Sequence, residues 1–101
     1  MIKMIAGYST SKHLLEDRAD RLLFIASTVG FGEITYKKPM DNNCWAVFTS
    51  TGIMLVTDKN DSYIITMYFA NIEKVYALWD GKVPKDLKEI ILKNRKKGYV
   101  K

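Results

Sequence analysis

Apolar positions recur along this chain with two different periods. From Lys12 to about Thr28, Leu15, Ala19, Leu22, Leu23 and Ala26 return at steps of three and four, which predicts a helix with one apolar stripe. Tyr8-Ser9-Thr10-Ser11 supplies several hydroxyls able to cap its start, and Gly30 and Gly32 end it. The pattern then shifts to short runs rich in Ile, Val, Thr, Tyr and Phe, separated by turn residues. Glu33–Lys38 reads as a strand stopped by Pro39, followed by the turn Asp41-Asn42-Asn43. Cys44–Thr49, Ile53–Thr57 and Ser62–Phe69 complete a meander, joined by Ser50-Thr51-Gly52 and by the polar loop Asp58–Asp61. Strict alternation in the last run would put Ile65, Met67 and Phe69 on one face and Ile64, Thr66 and Tyr68 on the other.

Helical signals return after Phe69. Asn71 is placed to cap a short helix from Ile72 to Trp79, which Asp80-Gly81 breaks. Pro84 suits the first turn of a final helix, Lys85 to Lys97, closed by Gly98 and buried along Leu87, Ile90 and Ile91. The prediction is an α+β fold: an N-terminal helix, a four-stranded antiparallel β-meander and two C-terminal helices. Such a sheet can bury one face under helices and leave the other open, and the open face is where a site is expected. A chain of 101 residues holds a single domain, 1–101.

Composition narrows the chemistry. Cys44 is the only cysteine, so no internal disulfide can form and the usual cysteine-rich zinc frameworks are excluded. His13 is the only histidine, so no histidine pair can hold a metal, and neither metal nor cofactor is expected. Gly30-Phe31-Gly32 lacks the further glycine of a phosphate-binding loop. No apolar stretch approaches the ~20 residues of a membrane span, and the N-terminus does not read as a signal peptide, so a cytoplasmic location without membrane contact is expected. The net charge of +5 is concentrated at one end: Lys85 to Lys101 carries seven basic and two acidic residues, and the remainder is neutral. Lys93, Arg95, Lys96 and Lys97 could draw phosphate backbones or acidic protein surfaces, although lysines in a last turn also suit the helix macrodipole.

His13, Asp17, Arg18 and Arg21 form the constellation with most chemical content. On a helix, Asp17 at i+4 can fix the tautomer of His13, leaving the other ring nitrogen to move protons. Arg21, one turn on, could hold a phosphate through a bidentate contact. A base and a cation are what cleavage of RNA by its own 2′-hydroxyl requires, with no metal. Thr66 and Tyr68 could add donors to a phosphate or a ring on which a base stacks. Each of these residues also has a plain structural role, as helix surface or half-buried sheet.

The order Ser11-Lys12-His13-Leu14-Leu15-Glu16-Asp17-Arg18, then Met54-Leu55-Val56-Thr57-Asp58, then Ile64-Ile65-Thr66-Met67-Tyr68, resembles small prophage and toxin-like proteins of the barnase–EndoU–colicin–RelE-like group of metal-independent RNases. The resemblance covers roughly residues 9–69. It implies a helical part before a four-stranded antiparallel sheet. It further implies His13 as the proton-transfer residue, Arg18 or Arg21 as the phosphate clamp, and Thr66 and Tyr68 in the cleft. The catalytic set would be His13, Arg21 and Tyr68, with Arg18, Thr66, Lys93, Arg95, Lys96 and Lys97 contacting nucleic acid. The chain departs from the pattern in placing its arginines five and eight residues after His13, and in its two C-terminal helices. The alternative is a non-enzymatic phage or mobile-element protein that binds a host protein or nucleic acid through a basic surface. An antitoxin is a further conceivable partner, and the oligomeric state is left open.

Overall fold

The structure, a computed structural model, describes residues 4–100 except 6, 18 and 41, with backbone alone at Met4, Ile5, His13, Leu15 and Asp17. Chain order is β1 (Met4–Ile5), β2 (Tyr8–Thr10), α1 (Lys12–Asp17), α2 (Ala19–Thr28), β3 (Ile34–Pro39), β4 (Trp45–Thr49), β5 (Ile53–Thr57), β6 (Tyr63–Phe69), α3 (Ile72–Leu78) and α4 (Lys85–Lys96). The α+β class is as expected, while the layout differs in detail. The meander β3–β6 is present, but β1 and β2 extend the sheet to six strands in the order β1-β2-β6-β5-β4-β3. The sheet is mixed, because β2 runs parallel to β6, pairing Ser9 with Tyr63 and Thr10 with Ile64. Alternation over three residues is too short to announce a strand, so β1 and β2 were not foreseen.

Ser11 both ends β2 and starts α1. Its N–H donates to the Ile64 carbonyl (2.9 Å) and its hydroxyl to that of Ile65 (3.1 Å). The same hydroxyl accepts from Leu14 N–H at 3.1 Å, the N-cap geometry expected of a serine there. The chain therefore leaves the sheet after two pairs with β6, and the remainder of that edge has no strand beside it among the described residues.

The foreseen stripe of the N-terminal helix is also corrected. Leu14, Leu22 and Ile25 are buried, whereas Ala19, Leu23 and Ala26 are exposed, Leu23 to 64%. Both sets have helical spacing. Leu14 and Ile25 are the residues that pack on the sheet beside Leu22, while the side chain of Leu15, the first of the foreseen stripe, lies outside the described residues. Val29 and Gly30 close α2 through N–H bonds to the Ile25 carbonyl, with Gly30 at φ +76°.

Neither sheet face is open, contrary to expectation. One face packs Tyr8, Val47, Ile53, Leu55, Ile64, Met67 and Phe69 against α1 and α2. The other packs Ala46, Phe48, Met54 and Val56 against Ile72 and Val75 of α3 and Leu87 and Ile91 of α4. Central β5 is accordingly buried at every position, including Thr57. Helices on both faces make a three-layer arrangement. An irregularity between Val56 and Thr57, opposite Ile64–Thr66, adds one residue to β6. Ile64 therefore joins Met67 and Phe69 rather than Thr66 and Tyr68.

Strands β2 and β3 stand four places apart, about 19 Å in a flat sheet. Even so, Tyr8 and Lys37 both reach Asp61 in the β5–β6 loop: the phenol donates to Oδ2 at 3.0 Å and Lys37 Nζ to the same oxygen at 2.6 Å. Thr57 Oγ1 donates to Oδ1 at 2.8 Å. Asp61 thus clasps two wings of the sheet, β2 and β3, over the face that carries α1 and α2. Burial alone would raise its pKa, but the bonds from Lys37, Thr57 and Tyr8 outweigh it and hold the carboxyl below its ordinary value. Burial in turn lifts the Tyr8 phenol, and the bond to Asp61 raises Lys37.

Candidate functional site at the uncovered edge of the sheet

With both faces closed, the accessible concavity lies at the margin of the layers. A groove of about 450 Å³ runs beside the C-terminal half of β6, lined by Asp20, Arg21 and Phe24 of α2, Tyr68 and Phe69, Asn71, Lys74 of α3, and Tyr99 and Val100. Its α2-side wall is aromatic. Phe24, Phe69 and Tyr99 form a three-ring cluster with centroids 5.4–5.9 Å apart. Tyr99 is brought there because α4 ends in a turn through Gly98 (φ +82°), with the Tyr99 N–H donating to the Asn94 carbonyl at 3.0 Å. The opposite wall carries Tyr68 with Lys74 Nζ 5.2 Å from its ring centroid, a cation–π contact. Asn71 caps α3, its side chain accepting from Glu73 N–H at 2.9 Å, and so fixes where Lys74 emerges.

Arg21 lies in the row that β2 vacates. Its NH1 donates to the Met67 carbonyl at 3.2 Å, standing where the N–H of a neighbouring strand would be. The register fixes the other groups of this edge. Ala70 N–H bonds Gly52 O across the Ile53–Phe69 pair, so Ile53 and Phe69 form a wide pair whose own amides point away from each other. Phe69 and, two residues earlier, Met67 thus direct their backbone N–H and C=O into the groove.

A second hollow of about 420 Å³ adjoins the first and shares Asn71, Lys74 and Val100 with it; Ile72, Glu73, Ile91 and Arg95 complete its lining. Arg95 is exposed and pairs with Glu73 at 3.4 Å. Three cations from distant stretches of sequence, Arg21, Lys74 and Arg95, therefore border one continuous depression.

The structure brings Arg21 and Tyr68 of the foreseen site together in this groove. Thr66 is half-buried on the α3-side face and does not line it. Lys93, Lys96 and Lys97 are exposed at the end of α4, and of the basic end only Arg95 lines a hollow. His13 lies in the first turn of α1, but its side chain and that of Asp17 fall outside the described residues, as does Arg18 altogether. Among the described residues no group of His, Cys, Asp and Glu could hold a metal ion, and no helix is long and apolar enough to cross a membrane. Sequence reasoning missed Phe24, Lys74 and Tyr99. Lys74 could have been found from the Asn71 cap, which fixes the phase of the short helix. Tyr99 had no signal beyond a glycine that reverses the chain. Comparison with protein-family models, curated proteins and solved structures finds no match to this chain.

Proposed function

We propose that this chain is a non-enzymatic binding domain whose two joined hollows take an extended anionic partner. One observation carries the reading: Arg21, Lys74 and Arg95, from three different helices, border a continuous depression with an aromatic wall. Aromatic area supplies affinity that tolerates sequence, while the cations select negative charge. Lys93, Lys96 and Lys97 extend the positive potential beyond the hollows and would steer such a partner towards them. Fluorescence anisotropy tests this with a labelled oligouridylate and a labelled polyglutamate. At least one probe should bind, more weakly as salt rises, and Lys74→Gln and Arg95→Gln should each weaken it by about fivefold or more. Absence of binding to both probes, or binding indifferent to these substitutions, overturns the proposal.

A second reading is kept because Arg21 and Tyr68 line the same groove. It is the metal-independent RNase suggested by the resemblance to toxin-like proteins, with Arg21 clamping phosphate and His13 moving the proton. Covering of both sheet faces weighs against it, since that reading expects His13, an arginine and Tyr68 to converge on an open face of the sheet. Incubating RNA with the protein in EDTA, beside His13→Ala, distinguishes the two: cleavage lost in the variant supports the nuclease, and intact RNA in both excludes it.

A further inference from the structure

We propose that the partner of the groove is an extended peptide segment that adds as a strand beside β6, taking the row that β2 leaves at Ser11. The inference rests on the anion-binding reading above and names the class of partner. Within β6, only Tyr63 and Ile64 pair with β2, so the following stretch of β6 borders the groove rather than a strand among the described residues. There Met67 and Phe69 present N–H and C=O groups two residues apart, the repeat with which an extended chain pairs. A nucleic acid strand has no matching repeat of donors and acceptors along its backbone. Arg21 NH1 already occupies one such position at Met67 O, acting as a stand-in for a strand amide.

Side-chain pattern follows from the two walls. Alternate residues of an added strand would point to the α2 side, onto Phe24, Phe69 and Tyr99, and to the α3 side, beside Tyr68 and Lys74. The fitting segment therefore alternates apolar and acidic residues. As its N–H takes the Met67 carbonyl, the Arg21 guanidinium is released to a carboxylate of the segment. Arg21 thus guards the edge when it is empty and holds the ligand when it is filled. The occupant is acidic rather than a second copy of this edge, because the groove carries two cations, Arg21 and Lys74, against one carboxylate, Asp20, and two such edges would leave positive charge uncompensated on both sides.

The test uses isotope-labelled full chain and three probes at millimolar concentration: a short blocked peptide alternating glutamate and valine, the same peptide N-methylated at every residue, and a short oligouridylate. The unmodified peptide should shift the Met67 and Phe69 amide resonances and slow hydrogen exchange at Phe69 by about tenfold or more. The methylated peptide, unable to donate, should do neither. Equal effects from both peptides overturn strand addition, as does oligouridylate occupying the groove without the peptide competing. In either case the anion-binding reading survives. If no probe perturbs the groove, both fail.

Discussion

Replacing Asp61 by glycine removes the clasp between β2 and β3 without straining the backbone, because Asp61 sits at φ +53°, where glycine is at ease. Three groups then lose an acceptor. Thr57 is fully buried and Tyr8 only 7% exposed, so an orphaned hydroxyl at each costs about 1–2 kcal/mol. Lys37 is 42% exposed and turns to water, so its ion pair is worth at most about 1 kcal/mol. The sum, about 3 kcal/mol, is a large share of the stability of a domain this size. With a urea slope of about 1–3 kcal/mol per molar, the unfolding midpoint should fall by roughly 1–3 M at neutral pH. Trp45 is a suitable reporter, as its indole N–H bonds the Lys59 carbonyl in the same loop. Asp61→Asn should cost only about 1 kcal/mol, since the amide keeps one acceptor and loses the charge.

The pH dependence separates the clasp from a general loop effect. The folded-state pKa of Asp61 is depressed below its ordinary value of 3.8. Its charge therefore contributes fully above 3.8 and is lost as pH falls through the lower, folded value. The deficit of both variants relative to the parent should shrink when measured below that range. A deficit under about 1 kcal/mol for Asp61→Gly at pH 7, or one unchanged in acid, would refute the assignment of Asp61 as the link between the two wings.

Other substitutions test other joints. Gly52→Ala puts a Cβ 2.5 Å from Asn94 Nδ2 at a residue with φ +84°, so thermal unfolding should show a loss of about 2–4 kcal/mol and a correspondingly lower Tm. Asn94→Leu keeps the volume but removes the amide that donates to Thr51 O at 2.9 Å, and calorimetry should show about 1–3 kcal/mol lost. Asn71→Ala deletes the α3 cap and should cost about 1 kcal/mol in chemical denaturation.

Local signals in the sequence determined much of this protein. The four meander strands follow from runs of β-branched and aromatic residues between Asn43, Gly52 and Asp58–Asp61, because turn chemistry and strand propensity act over a few residues. The Asn71 cap and the Pro84–Gly98 bounds of α4 were legible for the same reason. Burial of α4 on Leu87 and Ile91, with Ile90 half-buried, matched its periodicity. Tertiary structure decided the rest. Which of two helical stripes turned inward depended on what the sheet offered to Leu14 and Ile25. The parallel seat of β2 beside β6 pairs residues more than fifty positions apart, and no local pattern encodes such a pairing. Coverage of both sheet faces, and with it the transfer of the site from an open face to the margin at β6, followed from where α3 and α4 docked. The groove is assembled from α2, β6, α3 and the turn after α4, so its members share a site only through packing. Periodicity can report which residues a single element buries; only the contacts between elements determine which exposed residues meet.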